Sequence, residues 1–432
     1  MDLVLREALL DGRTVDVLIR SGSIHRIADP GGLEPERTQA PPRDRSVRTL
    51  DARGLHLLPS LRNGHTHAAM TLFRGWGDDL PLMTWLQERI WPAEARMTPE
   101  DVYQGTRLAL VEMIRSGTTF LNDMYWHAPA IARAVSELGL RAHIGAAFVD
   151  LGQTEVAERW GREMDAWLEQ RNDWGPRVRA TMAPHAIYTV GRDNLRRLGD
   201  RAKKLELLLH IHLSETREEV DRCQAEHGVR PARLLQELGL VDERLVAAHG
   251  IYLDQEELDL LGTAGATVVT NPAANLKLAT GGIFDYPGAR KAGIRVVLGT
   301  DGVASNNNLD LFEDMKLAAL IQKHRAVDAT VLPAPEALAL TTTTPAQLFG
   351  PGSGRVAEGE PADLILVDLS GPATRPGHDL ASDLVYAANG SVVHTTICDG
   401  RVLMHDRRIE VVDEEEVIRE AAAAARRVTG GD

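Results

Sequence analysis

The chain has 432 residues, 44% of them apolar, enough for one large domain with an appended smaller one or for two to three ordinary domains. Its net charge of −14, with no block of basic residues, argues against nucleic acid as a partner. Its two cysteines, Cys223 and Cys398, lie far apart in the sequence and exclude a disulfide framework, which fits a cytoplasmic protein. No apolar run approaches the ~18 residues of a membrane span, so we expect a soluble protein with no membrane partner.

Residues 1–58 are expected to form the first part of a small β unit. Short runs at 3–5, 15–19 and 23–27 suit half-buried strands, and glycine-containing turns separate them. A loop rich in proline and arginine is predicted over 29–46. The first seven residues carry charges where a signal peptide needs an apolar run, so we expect no signal peptide.

Between residues 59 and 350, apolar β-rich runs alternate with amphipathic helical stretches. The predicted strands are the eight runs 55–61, 118–121, 142–148, 178–182, 207–211, 245–248, 267–270 and 294–298. Nearly continuous apolar strands are typical of a parallel sheet that is covered on both faces. Eight βα units therefore predict an α/β protein with a metal-dependent (β/α)8 barrel over 59–350.

After about residue 350 the alternation stops and strands return. A turn and a strand are predicted over 354–368, with further strands at 392–398 and 402–405. Because this region is similar in character to residues 1–58, we expect segments 1–58 and 351–412 to pair into one small β-sandwich. Residues 413–432 are expected to form a C-terminal helix and tail, with acidic residues first and basic residues last, as the helix dipole favours.

Histidines and an aspartate stand at the expected carboxyl ends of barrel strands, where such barrels carry their chemistry. His65 and His67 have a spacing of two, which in extended backbone points both side chains to one face. His212 lies at the end of the fifth strand and Asp301 at the end of the eighth. We predict that these four residues bind one divalent metal, Zn²⁺ first and Fe²⁺ as the alternative, which lowers the pKa of a water toward ~7.

Two further strand-end residues are predicted to act on that water. Glu215, three positions after His212, can reach it as a general acid/base, although an acidic residue at a helix N-terminus is its simpler explanation. His249, at the end of the sixth strand, is predicted to orient the water together with Asp301. A buried core histidine is the alternative for His249, and a turn residue is the alternative for Asp301. His210 is expected one layer deeper, inside the barrel.

These motifs together resemble the amidohydrolase superfamily, most closely its 5-methylthioadenosine/S-adenosylhomocysteine deaminase and chlorohydrolase branch. The resemblance covers nearly the whole chain and depends on the segments 64–67, 210–216, 248–250, 271–278 and 298–307. It implies a metal hydrolase that deaminates an aminated heteroaromatic ring. The fourth strand, 178–185, has no lysine to bridge two metals, which favours one metal. The signature of the other zinc deaminase class is absent.

The resemblance also implies a substrate and residues that bind it. The predicted reaction converts 5′-methylthioadenosine, adenosine or S-adenosylhomocysteine to the inosine analogue and ammonia. Glu94 matches the family glutamate that binds ribose hydroxyls, with an exposed loop acid as its alternative. His185 matches the histidine that contacts the purine, and Ser305 matches a pocket residue near the metal. Glu215 and His249 are expected to contact the ring as well.

One departure from the family bears on the substrate. Relatives that accept S-adenosylhomocysteine carry an arginine for its carboxylate where this chain has Ala146 and Ala147, and the nearby cations are Arg159 and Arg162. The sequence therefore favours 5′-methylthioadenosine or adenosine.

Two other functions were weighed against nucleoside deamination. An aminohydrolase or chlorohydrolase of a triazine, pterin or guanine-like ring is the alternative among enzymes. A non-catalytic scaffold predicts broken ligand positions, yet all four predicted ligands are intact. The family resemblance suggests a homodimer or a higher homo-oligomer.

Overall fold

The computed structural model describes residues 2–33, 47–80 and 82–430, so residues 34–46 of the predicted loop lie outside the described part. Five strands come first: β1 (Asp2–Leu10), β2 (Arg13–Arg20), β3 (Ser23–Ala28), β4 (Val47–Asp51) and β5 (His56–Pro59). Eight strands follow: β6 (Leu61–Thr66), β7 (Thr118–Tyr125), β8 (Arg141–Phe148), β9 (Val178–Pro184), β10 (Leu209–Leu213), β11 (Leu245–His249), β12 (Thr267–Thr270) and β13 (Arg295–Leu298). Four come last: β14 (Leu364–Val367), β15 (Val393–Cys398), β16 (Arg401–His405) and β17 (Arg408–Ile409).

Helices occupy most of the chain between the strands. The α-helices are α1 (Leu82–Trp85), α2 (Trp91–Glu94), α3 (Pro99–Arg115), α4 (Ala128–Leu138), α5 (Thr154–Glu169), α6 (Arg192–Lys204), α7 (Arg217–His227), α8 (Pro231–Glu237), α9 (Gln255–Thr263), α10 (Pro272–Lys277), α11 (Tyr286–Ala292), α12 (Val303–Asn306), α13 (Leu311–Ala326), α14 (Ala334–Ala339), α15 (Thr343–Phe349), α16 (Leu380–Ser382) and α17 (Glu414–Thr429). Shorter 3-10 or π-helical segments are Ala68–Phe73, Leu86–Ile90, Pro372–Thr374, Asp383–Ala387 and Gly390–Val392. No helix among the described residues is long and apolar enough to cross a membrane.

Strands β6 to β13 form one eight-stranded parallel sheet in chain order, with helices between the strands. Its last strand returns to its first, because the N–H of Asp301, just after β13, donates to the carbonyl of His65 in β6 at 3.0 Å. Every residue of β7 and β8 is buried, as a sheet covered by helices requires. The sheet is nearly closed, and the predicted (β/α)8 barrel is confirmed.

The first barrel strand starts later in the chain than predicted. The apolar run at 55–61 mostly supplies β5, which pairs antiparallel with β14 in the other sheet. Only the next segment, β6, pairs with β7 in the barrel, and Ser60 alone separates β5 from β6. The crossing from one sheet to the other depends on distant partners, which hydrophobic pattern does not reveal. As a result His65 lies within β6, and His67 follows directly after it.

The strands near the two chain ends join in a second sheet, in the order β17-β16-β15-β14-β5-β1-β2-β3, with β4 beside β1. Most neighbours are antiparallel, whereas β1 pairs in parallel with β4 and β5. The sheet has its own apolar core, which includes Leu5, Val17, Leu57, Leu364 and Ile397. The predicted association of the two terminal segments is confirmed.

Charged side chains connect this terminal sheet to the start of the barrel strands, opposite the strand ends that carry the histidines. Arg141, the first residue of β8, places Nε 2.8 Å from Asp363 Oδ2 and Nη2 2.7 Å from Asp399 Oδ1. Arg62 of β6 lies 3.7 Å from the same Asp363 carboxylate, and both arginines are buried. Removing one partner would leave a buried charge without its counterion, which is strongly destabilising.

Helix ends follow the sequence signals. α3 begins with a capping box between Thr98 and Asp101, and α4 ends at Gly139 with φ +89°, a backbone conformation that glycine adopts without strain. The predicted C-terminal helix is α17, which packs against α3 through an ion pair of Glu414 with Arg115.

Candidate active site

Four predicted ligand side chains meet at the carboxyl ends of the barrel strands. Asp301 Oδ1 lies 3.3 Å from His65 Nε2 and 3.2 Å from His67 Nε2. His67 Nε2 lies 3.2 Å from His212 Nε2. These separations are close to the edges of a tetrahedron around Zn²⁺, about 3.3–3.4 Å for ligand distances of about 2.0–2.1 Å. The donors therefore fit a single divalent metal.

The opposite nitrogens of the three histidines are held by other groups. Nδ1 of His67 donates to a carbonyl of β7 at 2.6 Å, and Nδ1 of His212 donates to the carbonyl of His185 at 2.8 Å. Nδ1 of His65 lies 2.9 Å from Nε2 of His210, which fills the barrel interior as predicted. Such contacts leave each Nε2 for a metal. His65 Nε2 is buried without a hydrogen-bond partner in the described part of the chain, which further suits a ligand.

Glu215 and His249 stand beside these donors. Glu215 Oε2 lies 3.8 Å from His249 Nε2, and both side chains are buried. Burial raises the pKa of Glu215, which is the direction that a proton-carrying acid requires. Asn275 Oδ1 accepts from His249 Nδ1 at 2.9 Å, so the Nε2 of that ring faces Glu215. Ser305 Oγ donates to Asp301 Oδ2 at 2.8 Å.

A cavity of about 300 Å³ opens over this cluster. It is lined by eight of the nine predicted site residues: His67, Glu94, His185, His212, Glu215, His249, Asp301 and Ser305. The ninth, His65, is fully buried behind them. The structure therefore brings all the predicted site residues together at one place.

Two of these residues line the cavity without belonging to the donor set. Glu94, the last residue of α2, lines the cavity instead of projecting from an exposed loop, and Tyr125 donates a hydrogen bond to its Oε1 at 2.7 Å. Burial raises the pKa of Glu94 to about 6. Burial lowers the pKa of His185 to about 3, so this ring is neutral near pH 7. Its Nδ1 lies 3.0 Å from Thr189 Oγ1.

The outer part of the cavity is aromatic and apolar. Trp126, just after β7, stacks on Trp160 of α5 with ring centroids 4.2 Å apart. The guanidinium of Arg159 lies 4.6 Å from the centroid of the Trp160 ring and lines the cavity. Leu151 adds an apolar side chain to the same lining. This end of the cavity offers apolar surface and one cation.

The alanine pair at the end of β8 is divided by strand alternation. Ala147 lines the cavity, whereas Ala146 packs into the core outside the barrel. Of the two alanines at which the family arginine was expected, Ala147 is the one that faces the cavity. Of the two nearby cations, Arg159 lines the cavity, and Arg162 pairs with Glu158 on the exposed face of α5.

Several residues at the site are absent from the predictions: Tyr125, Trp126, Trp160, Glu219 and Asn275. Asn275 lies within the 271–278 segment, so a signal was available there. Tyr125 ends β7 and Trp126 follows it, at a strand end that carries none of the predicted site residues, and Trp160 reaches them only through the fold. Glu219 gives a signal of another kind, since Thr216 and Glu219 have the spacing of a capping box.

Comparison with known proteins agrees with this arrangement. The Amidohydrolase family matches residues 56–403. The chain is 51% identical to the 5′-deoxyadenosine deaminase of Methanoregula boonei over 88% of this chain and 86% of that protein. It is 43% identical to the 5-methylthioadenosine/S-adenosylhomocysteine deaminase of Haloarcula marismortui, over 98% and 96%. The zinc-bound crystal structure of an adenosine deaminase from Xanthomonas campestris has a TM-score of 0.89 and 35% identity, over 99% and 98%. The chain belongs to the amidohydrolase family.

Proposed function

We propose that this chain is a metal-dependent hydrolase that deaminates adenosine-type nucleosides to the inosine analogue and ammonia. The observation that carries the proposal is the joint placement, on one cavity, of the His/Asp donor set, the buried Glu215 and the Glu94 carboxylate. The relatives named as deaminases of 5′-deoxyadenosine and of 5-methylthioadenosine support this substrate class.

Zn²⁺ is the metal that we propose for the four donors, with Fe²⁺ as the alternative. Imidazole nitrogens and one carboxylate suit Zn²⁺, and the adenosine deaminase from Xanthomonas campestris holds zinc. A metal bound there lowers the pKa of water, which allows hydrolysis near pH 7. Elemental analysis of the purified protein tests the proposal, with about one zinc atom per chain expected and none in His67→Ala. If the protein contained one equivalent of iron instead, the metal would be Fe²⁺ and not Zn²⁺.

The residues of the chain carry out the proton transfers. Glu215 accepts a proton from the attacking water and delivers it to the ring nitrogen next to the carbon that bears the amino group. His249 and Asp301 orient the water, and His249 stabilises the negative charge that develops on its oxygen. The remaining proton of the same water passes from the added oxygen to the amino group, which leaves as ammonia while that oxygen becomes the carbonyl of the inosine analogue. Protonation of the ring nitrogen offsets the loss of aromaticity in the ring.

The cavity also supports a proposal for how the nucleoside is bound. The Glu94 carboxylate can accept hydrogen bonds from both ribose hydroxyls, while the neutral His185 and Ser305 face the purine. We assign an apolar 5′ substituent to the Trp126–Trp160 stack, because that stack is the aromatic part of the cavity lining. We therefore propose 5′-deoxyadenosine and 5′-methylthioadenosine as the preferred substrates. Arg159 is the cation available to the carboxylate of S-adenosylhomocysteine.

A substrate panel tests the proposed function. Ammonia release and loss of adenine absorbance would be measured on zinc-loaded protein with 5′-deoxyadenosine, 5′-methylthioadenosine, adenosine, S-adenosylhomocysteine, guanine and melamine. We expect the highest kcat/KM on the first two. Turnover of guanine or melamine alone would keep the metal chemistry and discard Glu94 and His185 as nucleoside contacts. A chlorotriazine assayed in parallel for chloride release covers the alternative, and chloride release without deamination of any panel member would favour a chlorohydrolase.

Oligomeric state and cellular location stay predictions. Light scattering of the purified protein would test the expected homodimer or higher homo-oligomer. Cys223 and Cys398 are both buried and free, which is compatible with the proposed cytoplasmic setting.

A further inference from the structure

Helix α7 begins two residues after Glu215, and an acidic residue of its first turn is buried outside the cavity. This residue, Glu219, is 4% exposed. In an ordinary capping box, the N-cap hydroxyl accepts from the N3 N–H, and the N3 carboxylate accepts from the N-cap N–H. The first half is present, because Thr216 Oγ1 accepts from the Glu219 N–H at 3.1 Å.

The second half of the box is displaced toward the active site. Glu219 Oε1 accepts from the N–H of Ser214 at 2.8 Å, and Oε2 accepts from the N–H of Glu215 at 2.8 Å. The carboxylate thus reaches past the N-cap to two consecutive backbone groups, one of which belongs to the proposed proton carrier. Burial raises the pKa of Glu219 to about 7, and above that pH both contacts are hydrogen bonds to a charged carboxylate, which are stronger than those between neutral groups.

The backbone that Glu219 holds is an unusual one. Ser214 has φ +52°, in the left-handed region that non-glycine residues adopt rarely. This residue turns the chain out of β10, after the predicted ligand His212, and directs Glu215 toward His249. Two hydrogen bonds that one buried carboxylate accepts stabilise the turn at the point that decides where the Glu215 side chain lies.

We propose that Glu219 is a positioning residue, whose carboxylate clamps the Ser214 and Glu215 backbone and so fixes the Glu215 carboxylate against His249 and the attacking water. This inference rests on the proposed function of Glu215. The competing explanation is that Glu219 only stabilises the start of α7. The two explanations differ in what they predict for kcat in the folded, metal-loaded protein.

The chemistry of the clamp needs a glutamate. Both carboxylate oxygens accept hydrogen bonds, whereas an amide presents an NH₂ group to one of the two N–H donors. Glu219→Gln therefore breaks half of the clamp with almost no change of shape. The neighbouring Glu218 is exposed on the same helix turn, so Glu218→Gln is a matched control.

The test is steady-state kinetics of zinc-loaded wild type, E219Q and E218Q with 5′-deoxyadenosine, alongside zinc content and Tm. We expect E219Q to lose kcat at least 10-fold while KM and zinc content stay unchanged, and E218Q to match the wild type. A fall in Tm with unchanged kcat would overturn the positioning role. An inactive wild type would defeat the proposed function itself, and the positioning role with it, so the two failures are distinguishable.

A double-mutant cycle shows whether Glu219 acts through Glu215. If it does, E215Q/E219Q is no slower than E215Q, because the group to be positioned is already lost. If the loss of kcat in E215Q/E219Q equals the product of the losses in the two single variants, the inference is overturned. If E219Q does not fold, S214G/E219Q replaces it, since glycine takes the left-handed backbone without strain. The same loss of kcat is expected there relative to S214G, and kcat equal to that of S214G would overturn the clamp.

Discussion

The hydroxyl of Tyr125 donates a hydrogen bond of 2.7 Å to Oε1 of Glu94, and so joins the end of β7 to the long segment that follows β6. Tyr125→Phe keeps the ring and removes the donor. Loss of one such bond is worth about 1 kcal/mol, so we expect KM for 5′-deoxyadenosine to rise roughly fivefold with kcat within about twofold. The matched control is 2′,3′-dideoxyadenosine, which lacks the hydroxyls and should show no change. An equal rise for both substrates would contradict ribose binding by Glu94.

The raised pKa of Glu94, about 6, predicts a pH dependence of binding. Above that value the residue is a carboxylate with oxygens free to accept from hydroxyls, and below it the residue is a neutral acid with reduced accepting capacity. KM should therefore increase as the pH falls through about 6. Glu94→Gln should have a higher KM at pH 8 and lack that acidic increase. Wild-type KM that stays flat from pH 8 to pH 5 would contradict the assignment.

Replacing Glu215 should separate chemistry from metal binding. Glu215→Gln keeps the shape but cannot carry the proton, and general acid–base catalysis contributes about 10²–10⁴-fold. We expect kcat to fall by that factor while zinc content stays near that of the wild type, since Glu215 is not one of the four donors. The measurement is ammonia release together with elemental analysis of the same sample. Retained turnover would remove Glu215 from the mechanism.

Arg159 should affect only the substrate that carries an amino-acid end. Arg159→Gln removes the cation that lines the outer cavity, and an exposed charge pair is worth about 0.2–1 kcal/mol. We expect kcat/KM for S-adenosylhomocysteine to fall by roughly 1.4- to fivefold, with 5′-methylthioadenosine unaffected. Arg162→Gln is the control, because Arg162 lies three residues after Arg159 in α5 and does not line the cavity. If kcat/KM falls equally for both substrates, Arg159 supports the Trp160 ring instead of binding a carboxylate.

The metal donors could be identified from sequence because barrel chemistry collects at strand ends and few residue types bind metals. His65, His67, His212 and Asp301 each follow or end a recognisable strand. The sequence did not predict the distances between these four side chains. It did predict that they converge, because the carboxyl ends of the strands meet at one end of a barrel. The alternation was visible for seven of the eight barrel strands, because each of them contains a buried apolar run, whereas the first, β6, has Leu61 as its one apolar side chain.

Features that depend on distant partners were harder to predict. The strand break at Ser60 is set by pairing with β14, about 300 residues later in the sequence. Which of Ala146 and Ala147 faces the cavity depends on the register of β8, and a shift of one residue reverses the answer. The Trp126–Trp160 stack joins the segment after β7 to helix α5, and no local pattern encodes that meeting. The reach of Glu219 past its N-cap is likewise a matter of turn geometry.

The single residue between β5 and β6 has a consequence for recombination among relatives. β5 is held by β14 from the other end of the chain, while Arg62 and Arg141 meet Asp363 beneath the barrel. The position of His65 therefore depends on a sheet that both terminal segments form. A chimaera that exchanges only the barrel would contain the metal donors but not the matching terminal sheet that positions them. The exchangeable unit is the barrel together with both of its flanking segments.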